Sequence, residues 1–317
     1  MIATEARPLT TLDGPWSALE AGAFLVELHA VRCTRLRVEL GTVGYLYLEG
    51  FGGPKIAGAL WHGLRALAEA AQHPQLRFLA RTAFRLHEPV EVRSGVRARP
   101  FVLSMPGEAS ARRPDETLAF EATLFGEAAE TWPAWVAAAE EVRLGHAELR
   151  LAGASVQTPD GWRAAEQLDP GGGLTRLSDF LPPAVEQAER LTLRLLAPTT
   201  VEERTDFLSR EGTLAIFLRS LLTRLRAVAR ADLTRQAERE ALAAAAATRI
   251  VRDDTQAVAV RHWSGRTNTS SDYPALVGEF ECEGPLTPLL PLLRAGALTH
   301  VGKHSAWGMG RFAFNTG

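Results

Sequence analysis

Short runs of period-two hydrophobicity alternate along the chain with longer runs in which apolar residues recur every third or fourth position. These two signatures separate half-buried strands from amphipathic helices. Residues 24–38 (FLVELHAVRCTRLRV) are apolar, partly β-branched and partly alternating, and predict a strand that continues past a bend at Gly41 and Gly44 into TVGYLYLEG. The turn FGGP opens a helix at Pro54, a first-turn position where the missing N–H of proline costs nothing. On a helical wheel Ile56, Leu60, Gly63, Leu64, Leu67 and Ala71 share one face, while Lys55, His62, Arg65 and Glu69 fall on the other. His73 and Pro74 end that helix. The pattern then predicts strands at 76–92, 101–105 and 117–126, a helix at 128–142 and a strand at 144–156.

The order strand, helix, strand, strand, helix, strand is the split βαβ arrangement of a ferredoxin-like unit. A Pro/Gly-rich stretch, 158–183 with PGGG at 170–173, reads as a connector. The second half repeats the order. It has a strand at 189–200, a helical stripe of Leu214, Phe217, Leu218, Leu221, Leu222, Leu225 and Val228, and a helix-prone run at 235–251. Strands at 258–263 and 276–283, a short helix at 285–295 and a last strand MGRFAF follow. The fold class is therefore α+β, two tandem ferredoxin-like domains at 1–157 and 184–317 joined by a linker at 158–183. A Gly-rich loop closes the second.

Composition narrows the function classes. A length of 317 residues with 46 % hydrophobic and 23 % charged residues suits two ordinary globular domains. The net charge of −2 carries no global basic signal, but from residue 187 onward 17 Lys+Arg face 14 Asp+Glu, so a polyanion would favour the C-terminal half. The N-terminal residues lack the pattern of a secretory signal, and no apolar run is long enough for a transmembrane helix. Cys33 and Cys282 have no metal-ligand spacing, which fits a reducing, cytoplasmic setting. Of 35 Lys+Arg, only Lys55 and Lys303 are lysine. Lysine is a compact point charge that can share protons, whereas arginine stays charged. The two lysines thus stand either where an ammonium is needed or where chance left them.

Lys55 lies seven residues from His62, so both occupy one helix edge. That edge is either an ordinary solvated face or an imidazole and an ammonium presented together. Lys303 lies in the stretch LTHVGKHSAWGMGRFAF, among Gly302, Gly308 and Gly310, with His300, His304 and Arg311 alongside. Such a loop is either a plain turn or a place where backbone N–H groups approach a phosphate. Arg219, Arg224, Arg226 and Arg230 oppose the leucine stripe, as a solvated face or a phosphate track. Trp307 packs in a core or stacks on a base.

LTHVGKHSAWGMGRF resembles the C-terminal Gly-rich signature of the RAMP superfamily, in particular the CRISPR-associated endoribonucleases that process precursor CRISPR RNA, the sixth Cas family. GEFECEGPLTPLLPLLRAGAL looks like that family's strand and helix leading into the loop, and RHWSGR like its Arg-aromatic-Ser-x-Arg segment. GFGGPKIAGALWHGL, RPFVLSMPG and TLAFEATLFGEA are similar to N-terminal segments of the same family. The sequence departs from it where 267–273 reads TNTSSDY in place of a basic, Gln-containing run.

The resemblance implies cleavage of repeat RNA by attack of a 2′-OH on the adjacent phosphate, leaving a 2′,3′-cyclic phosphate and a 5′-OH. It implies no metal and no cofactor. The partners would be CRISPR repeat RNA or crRNA and other Cas proteins of an effector complex, with no membrane. On that reading His62 is general base or acid, Lys55 stabilises charge, and Tyr47 orients or donates, with Tyr45 nearby. Gly302, Lys303, His304, Gly308, Gly310, Arg311, Arg261 and Arg266 would hold RNA, and His300 and His304 are second-choice catalytic groups. A non-catalytic crRNA-binding subunit of the same fold is the alternative, and a scaffold without RNA is the third.

Overall fold

The computed structural model describes residues 22–48, 51–87, 90–91, 97–105, 111–144, 147–181, 187–201, 214–231, 233–264 and 269–316. Two separate antiparallel sheets with helices packed on them make an α+β structure of tandem ferredoxin-like units. The first sheet is built from β1 (Arg32–Thr42), β2 (Phe101–Ser104), β3 (Thr117–Phe125), β4 (Ala147–Thr158) and β5 (Gly161–Ala164), in the order β5-β4-β1-β3-β2. β1 lies at its centre, in register with β3 from Cys33↔Phe125 to Gly41↔Thr117 and with β4 from Arg35↔Gln157 to Thr42↔Leu149. Its alternation sorts the faces. Leu36, Val38 and Leu40 are fully buried, whereas Arg35 and Arg37 reach the opposite face and share Glu121 of β3.

The residues between α1 (Gly22–His29) and Thr42 correct one expectation. The predicted strand at 24–38 is a helix followed by β1, because Phe24, Leu25 and Leu28 recur at helical spacing and are buried together. A second correction falls at 76–92. Pro74 opens α3 (Pro74–His87) instead of merely ending α2 (Gly53–Ala70). Ala80, Ala83 and Leu86 are buried at intervals of three, and Arg77 and Arg81 turn back to donate to the Ala71 and Ala68 carbonyls at 2.7 and 3.0 Å. These donors satisfy carbonyls that the C-terminus of α2 leaves without intrahelical partners. With α4 (Trp132–Glu140), α2 and α3 cover the Leu36 face of the sheet. Within the expected connector, β5 pairs with β4, and Thr175–Arg176 pair with β1 at Cys33 and Arg32, so this stretch belongs to the first sheet.

The second sheet contains β6 (Arg190–Thr199), β7 (Arg249–Asp253), β8 (Gln256–Ser264), β9 (Thr269–Glu283) and β10 (Phe312–Thr316), in the order β7-β9-β6-β10. β9 pairs with β6 along its C-terminal half and with β8 along its N-terminal half, from Gln256↔Val277 to Ser264↔Thr269, so β8 and β9 form a long hairpin. Helices α5 (Ala215–Ala229), α6 (Arg235–Ala247) and α7 (Leu290–Thr299) complete the unit. Phe217 of α5 packs edge-on against Phe280 and Phe312, at ring separations of 6.1 and 5.2 Å.

The two units share one core. Phe24, Cys33, Val102, Phe125 and Phe180 of the first half are buried with the leucines of α5 and α7. Arg224 corrects the expected solvated face of α5. It is 4 % exposed and donates to the Thr299, Arg99 and Phe101 carbonyls at 2.9, 2.8 and 3.1 Å. One guanidinium thereby binds β2 and its approach in the first unit to the end of α7 in the second. Burial lowers its pKa to about 10, so it stays charged at neutral pH. Arg226 pairs with Glu238, Arg230 with Glu127, and Arg219 is exposed.

Candidate active site

The Gly-rich loop runs from the end of α7 to the start of β10, and its path is set by five residues with positive φ: His300, Gly302, His304, Gly308 and Gly310. A Cβ at Gly302 would overlap the Thr200 carbonyl oxygen and one at Gly310 the Val301 carbonyl oxygen. The amides of Lys303 and Gly310 donate to Thr200 and Pro198 at 2.8 and 2.9 Å, and that of Gly308 to Ser305 at 3.0 Å. These amides fasten the loop to the end of β6 and to itself. The glycines therefore serve first to let the backbone pass this closely.

At its far side the loop meets α2. A Cβ at Gly53 would overlap the Trp307 carbonyl oxygen, so only glycine lets the helix begin there. Lys55 is exposed in that first turn. The positive end of the helix dipole thus borders the loop, with Lys55 in the same first turn.

Over the loop stands a group of four rings from three segments. Trp307 stacks on His262 of β8 at 4.6 Å and 1° between planes, and on His304 at 4.4 Å and 11°. Tyr273 of β9 lies 4.5 Å from the His304 ring and 5.5 Å from Trp307. Burial, then the positive charges of Lys303 and Arg99, then His262, lower the His304 pKa to about 4. Burial also lowers that of His262. Both imidazoles are neutral near pH 7.

His300 belongs to the framework. Its Nδ1 lies 3.1 Å from the Met309 carbonyl and its Nε2 lies 3.3 Å from Ser104 Oγ on β2, so it ties the loop to the first sheet. Burial, with Arg224 and Arg311 next, lowers its pKa to about 3.

The other residues singled out in the sequence are spread more widely. His62 is exposed on α2, flanked by Trp61, which stacks on Phe84 of α3, and by Gly63, which abuts Ala138 of α4. Seven residues of helix carry it about 10.5 Å along the axis from Lys55. Tyr47 is 68 % exposed on a two-residue strand paired with Ala111–Arg112, and Tyr45 is 80 % exposed. Arg261 is exposed and pairs with Asp272 across the hairpin at 3.3 Å. Arg311 is partly exposed at the loop's end, where its carbonyl accepts the Leu196 amide at 2.8 Å. Arg266 lies outside the described residues. Among the described residues no group of three or more His, Cys, Asp or Glu is placed to hold a metal, and no helix is long and apolar enough to cross a membrane.

The structure thus sets the loop of Lys303, His304 and Trp307 against the first turn of α2, which carries Lys55, while His62 lies two turns along that helix and Tyr47 on a separate short strand. It adds His262, Tyr273 and Arg99, which sequence reading did not select. Tyr273 reaches the site because β8 and β9 pair Val260 with it.

Paired ferredoxin-like units with a Gly-rich loop after the last helix define a RAMP-type protein. Residues 193–312 match the model of the CRISPR-associated endoribonuclease Cas6, and residues 30–166 match one described as an N-terminal domain. The Cas6 model thus covers the second of the two units, from β6 to the start of β10. Among solved structures it is similar to a Cas6 product complex, at 17 % identity and a TM-score of 0.55, over 90 % of this chain and 100 % of that one. It is similar to Thermus thermophilus Cas6 at 18 % identity and a TM-score of 0.53, over 90 % and 99 % of the two chains. A chain of a partial Cas6-RT-Cas1–Cas2 complex matches at 15 % identity with a TM-score of 0.57, over 90 % of this chain and 46 % of that one. At these identities the likeness is one of fold. No curated protein matches the chain.

Proposed function

We propose that the protein matures CRISPR RNA by cutting the repeats of the precursor transcript without a metal ion. The 2′-OH attacks the adjacent phosphate, the bond to the 5′-oxygen breaks, and the products carry a 2′,3′-cyclic phosphate and a 5′-OH. The observation that carries this reading is the packing of the α2 N-terminus, whose first turn bears Lys55, against the loop bearing Lys303 and His304. A phosphorane gathers charge that such cations stabilise, and both proton transfers need positioned groups.

In this scheme Lys55 stabilises the phosphorane, His62 on the same helix edge gives the leaving 5′-oxygen its proton, and Tyr47 orients the RNA. Gly302, Lys303, Gly308, Gly310, Arg311, Arg261 and Arg266 line the path of the RNA backbone. The pairing of the strands within 158–183 into the first sheet favours a joint between the units later than Phe180. The setting is cytoplasmic, and other Cas proteins are partners, by analogy with the Cas6-RT-Cas1–Cas2 assembly that contains a chain of this fold.

The test is a single-turnover assay on the repeat RNA of the source genome's CRISPR array, in EDTA. Cleavage with cyclic-phosphate ends is the expected outcome. Tight binding of the intact repeat with no cleavage would instead make the protein a crRNA-holding subunit.

A further inference from the structure

The reaction proposed above needs a group to take the 2′-OH proton, and the helix edge supplies one imidazole for two proton transfers. We propose that His304, in the Gly-rich loop, is the general base. This rests on the endoribonuclease reading and names a second proton-transfer group for it.

Four observations support His304. The first is position. It lies one tight turn before Trp307, whose amide donates to the His304 carbonyl at 2.8 Å, and the Trp307 carbonyl sits against Gly53 at the start of α2. The loop that carries the imidazole is therefore held against the first turn of α2, the turn that bears Lys55. The second is orientation. The ring is fixed by stacking on Trp307 and by Tyr273, so its plane does not depend on a flexible side chain alone. The third is backbone geometry. His304 has φ of 61°, a left-handed conformation uncommon outside glycine and enriched for Asn, Asp and His. The fourth is electrostatic. The charged groups that act on the ring are Lys303 on its own loop, Arg99 ahead of β2, and His262 from the hairpin, and no carboxylate is among them. A base must be neutral before it acts, which these surroundings ensure, and the imidazolium that forms when it acts would be favoured by the negative charge of the bound phosphate. The same cations would attract the phosphate.

The protons balance. His304 takes the proton of the 2′-OH as the 2′-oxygen bonds to phosphorus, and the P–O5′ bond breaks. The 5′-oxygen takes its proton from His62. The two histidines then exchange a proton through solvent, which returns both to their starting states.

The experiment compares wild type with His304→Asn and His304→Gly, two residues that tolerate the left-handed backbone. Cleavage is followed under single turnover on the repeat RNA. Affinity is measured on the 2′-O-methylated repeat, which has no nucleophile. The expected result is a rate loss of about 100-fold or more, affinity within about threefold of wild type, and partial recovery of His304→Gly by added imidazole. Far-UV circular dichroism and the melting temperature confirm that the variants fold. A rate within about threefold of wild type in a folded variant overturns the proposal, and so does a rate loss that follows weakened binding and resists imidazole. Failure of wild type to cleave would overturn the endonuclease reading itself, a different result from either.

Discussion

His62 and His304 sit at two ends of one proposed site and in opposite surroundings. His62 projects from the exposed edge of a regular helix whose every turn is fixed by its own hydrogen bonds and by packing underneath. His304 sits in a loop at the head of a single 3-10 turn, Ser305–Trp307, yet it is the more constrained of the two. Its backbone is left-handed, its ring is stacked, and the loop around it is fastened to β6. A helix offers a side chain to solvent at small cost, but it controls neither the water around it nor the angle of the ring. The loop half-buries the imidazole and sets positive charge near it. Exposed periodic elements thus suit groups that meet the RNA as it arrives. The aperiodic, glycine-dependent segment suits a group whose protonation state must be set beforehand.

The largest effect that would sharpen this contrast is expected at Gly310. Gly310→Ala puts a methyl group on the Val301 carbonyl oxygen at a backbone with φ of 77°. The loop then cannot keep its path, and a loss of about 3 kcal/mol or more is expected. Thermal melting would show it, and RNA affinity and cleavage should fall together. A Gly310→Ala protein that melts within a degree or two of wild type would mean that the loop adapts freely, and the constraint argued for His304 would fail with it.

Next in size is Lys55. If its ammonium meets the phosphorane, Lys55→Ala should slow single-turnover cleavage about 100-fold, the scale of removing one charge stabiliser. His62→Asn should cost about tenfold, because solvent can supply a proton to an alkoxide more readily than it can replace a preorganised base. The ratio between His62→Asn and His304→Asn is the direct measure of the comparison. A larger loss at His62 would move the decisive proton transfer back to the helix.

A third effect concerns pH. His300 and His304 are held neutral in the fold, with pKa values of about 3 and about 4, below the ordinary 6.5. The unfolded chain binds those protons first as pH falls, so stability is full above about 6.5 and drains away as pH drops toward the folded values. Each such histidine contributes about one proton, or about 1.4 kcal/mol per pH unit within that window. His300→Asn, which suits the left-handed backbone, should lower the slope of stability against pH between 6 and 4 by close to one proton. Denaturant titrations at several pH values would reveal an unchanged slope if His300 were not held neutral.

Much of this architecture is legible in the sequence, for identifiable reasons. The polar edge of α2 follows from the spacing of Ile56, Leu60 and Leu64, and the left-handed glycines sit where a Gly-rich signature predicts a tight loop. The α3 helix was hidden because Arg77, Arg81 and Arg85 alternate locally with apolar neighbours as a strand would, although their spacing of four is that of a helix. Arg224 read as surface because an arginine opposite a leucine stripe usually is. Its burial depends on three carbonyls contributed by another helix and by the other unit. His262 and Tyr273 lie 11 residues apart and His304 another 31 beyond, and no local pattern records that the fold brings their rings together.

The smallest effect reverses the sign of the first. Gly58 lies inside α2, one turn beyond Lys55, and a Cβ there meets nothing within 4 Å. Glycine in a helix interior leaves the unfolded chain more freedom than alanine does, at a cost of about 0.5–1 kcal/mol. Gly58→Ala should therefore stabilise the protein by about that amount, with a melting point raised by a few degrees. If the edge carrying Lys55 and His62 only presents side chains to arriving RNA, a stiffer helix leaves cleavage unchanged within about twofold. A cleavage rate that drops while the melting point rises would show that RNA packs against the bare backbone at Gly58. The helix edge would then be a fitted surface, as tightly specified as the loop, and the distinction between the two ends of the site would have to be abandoned.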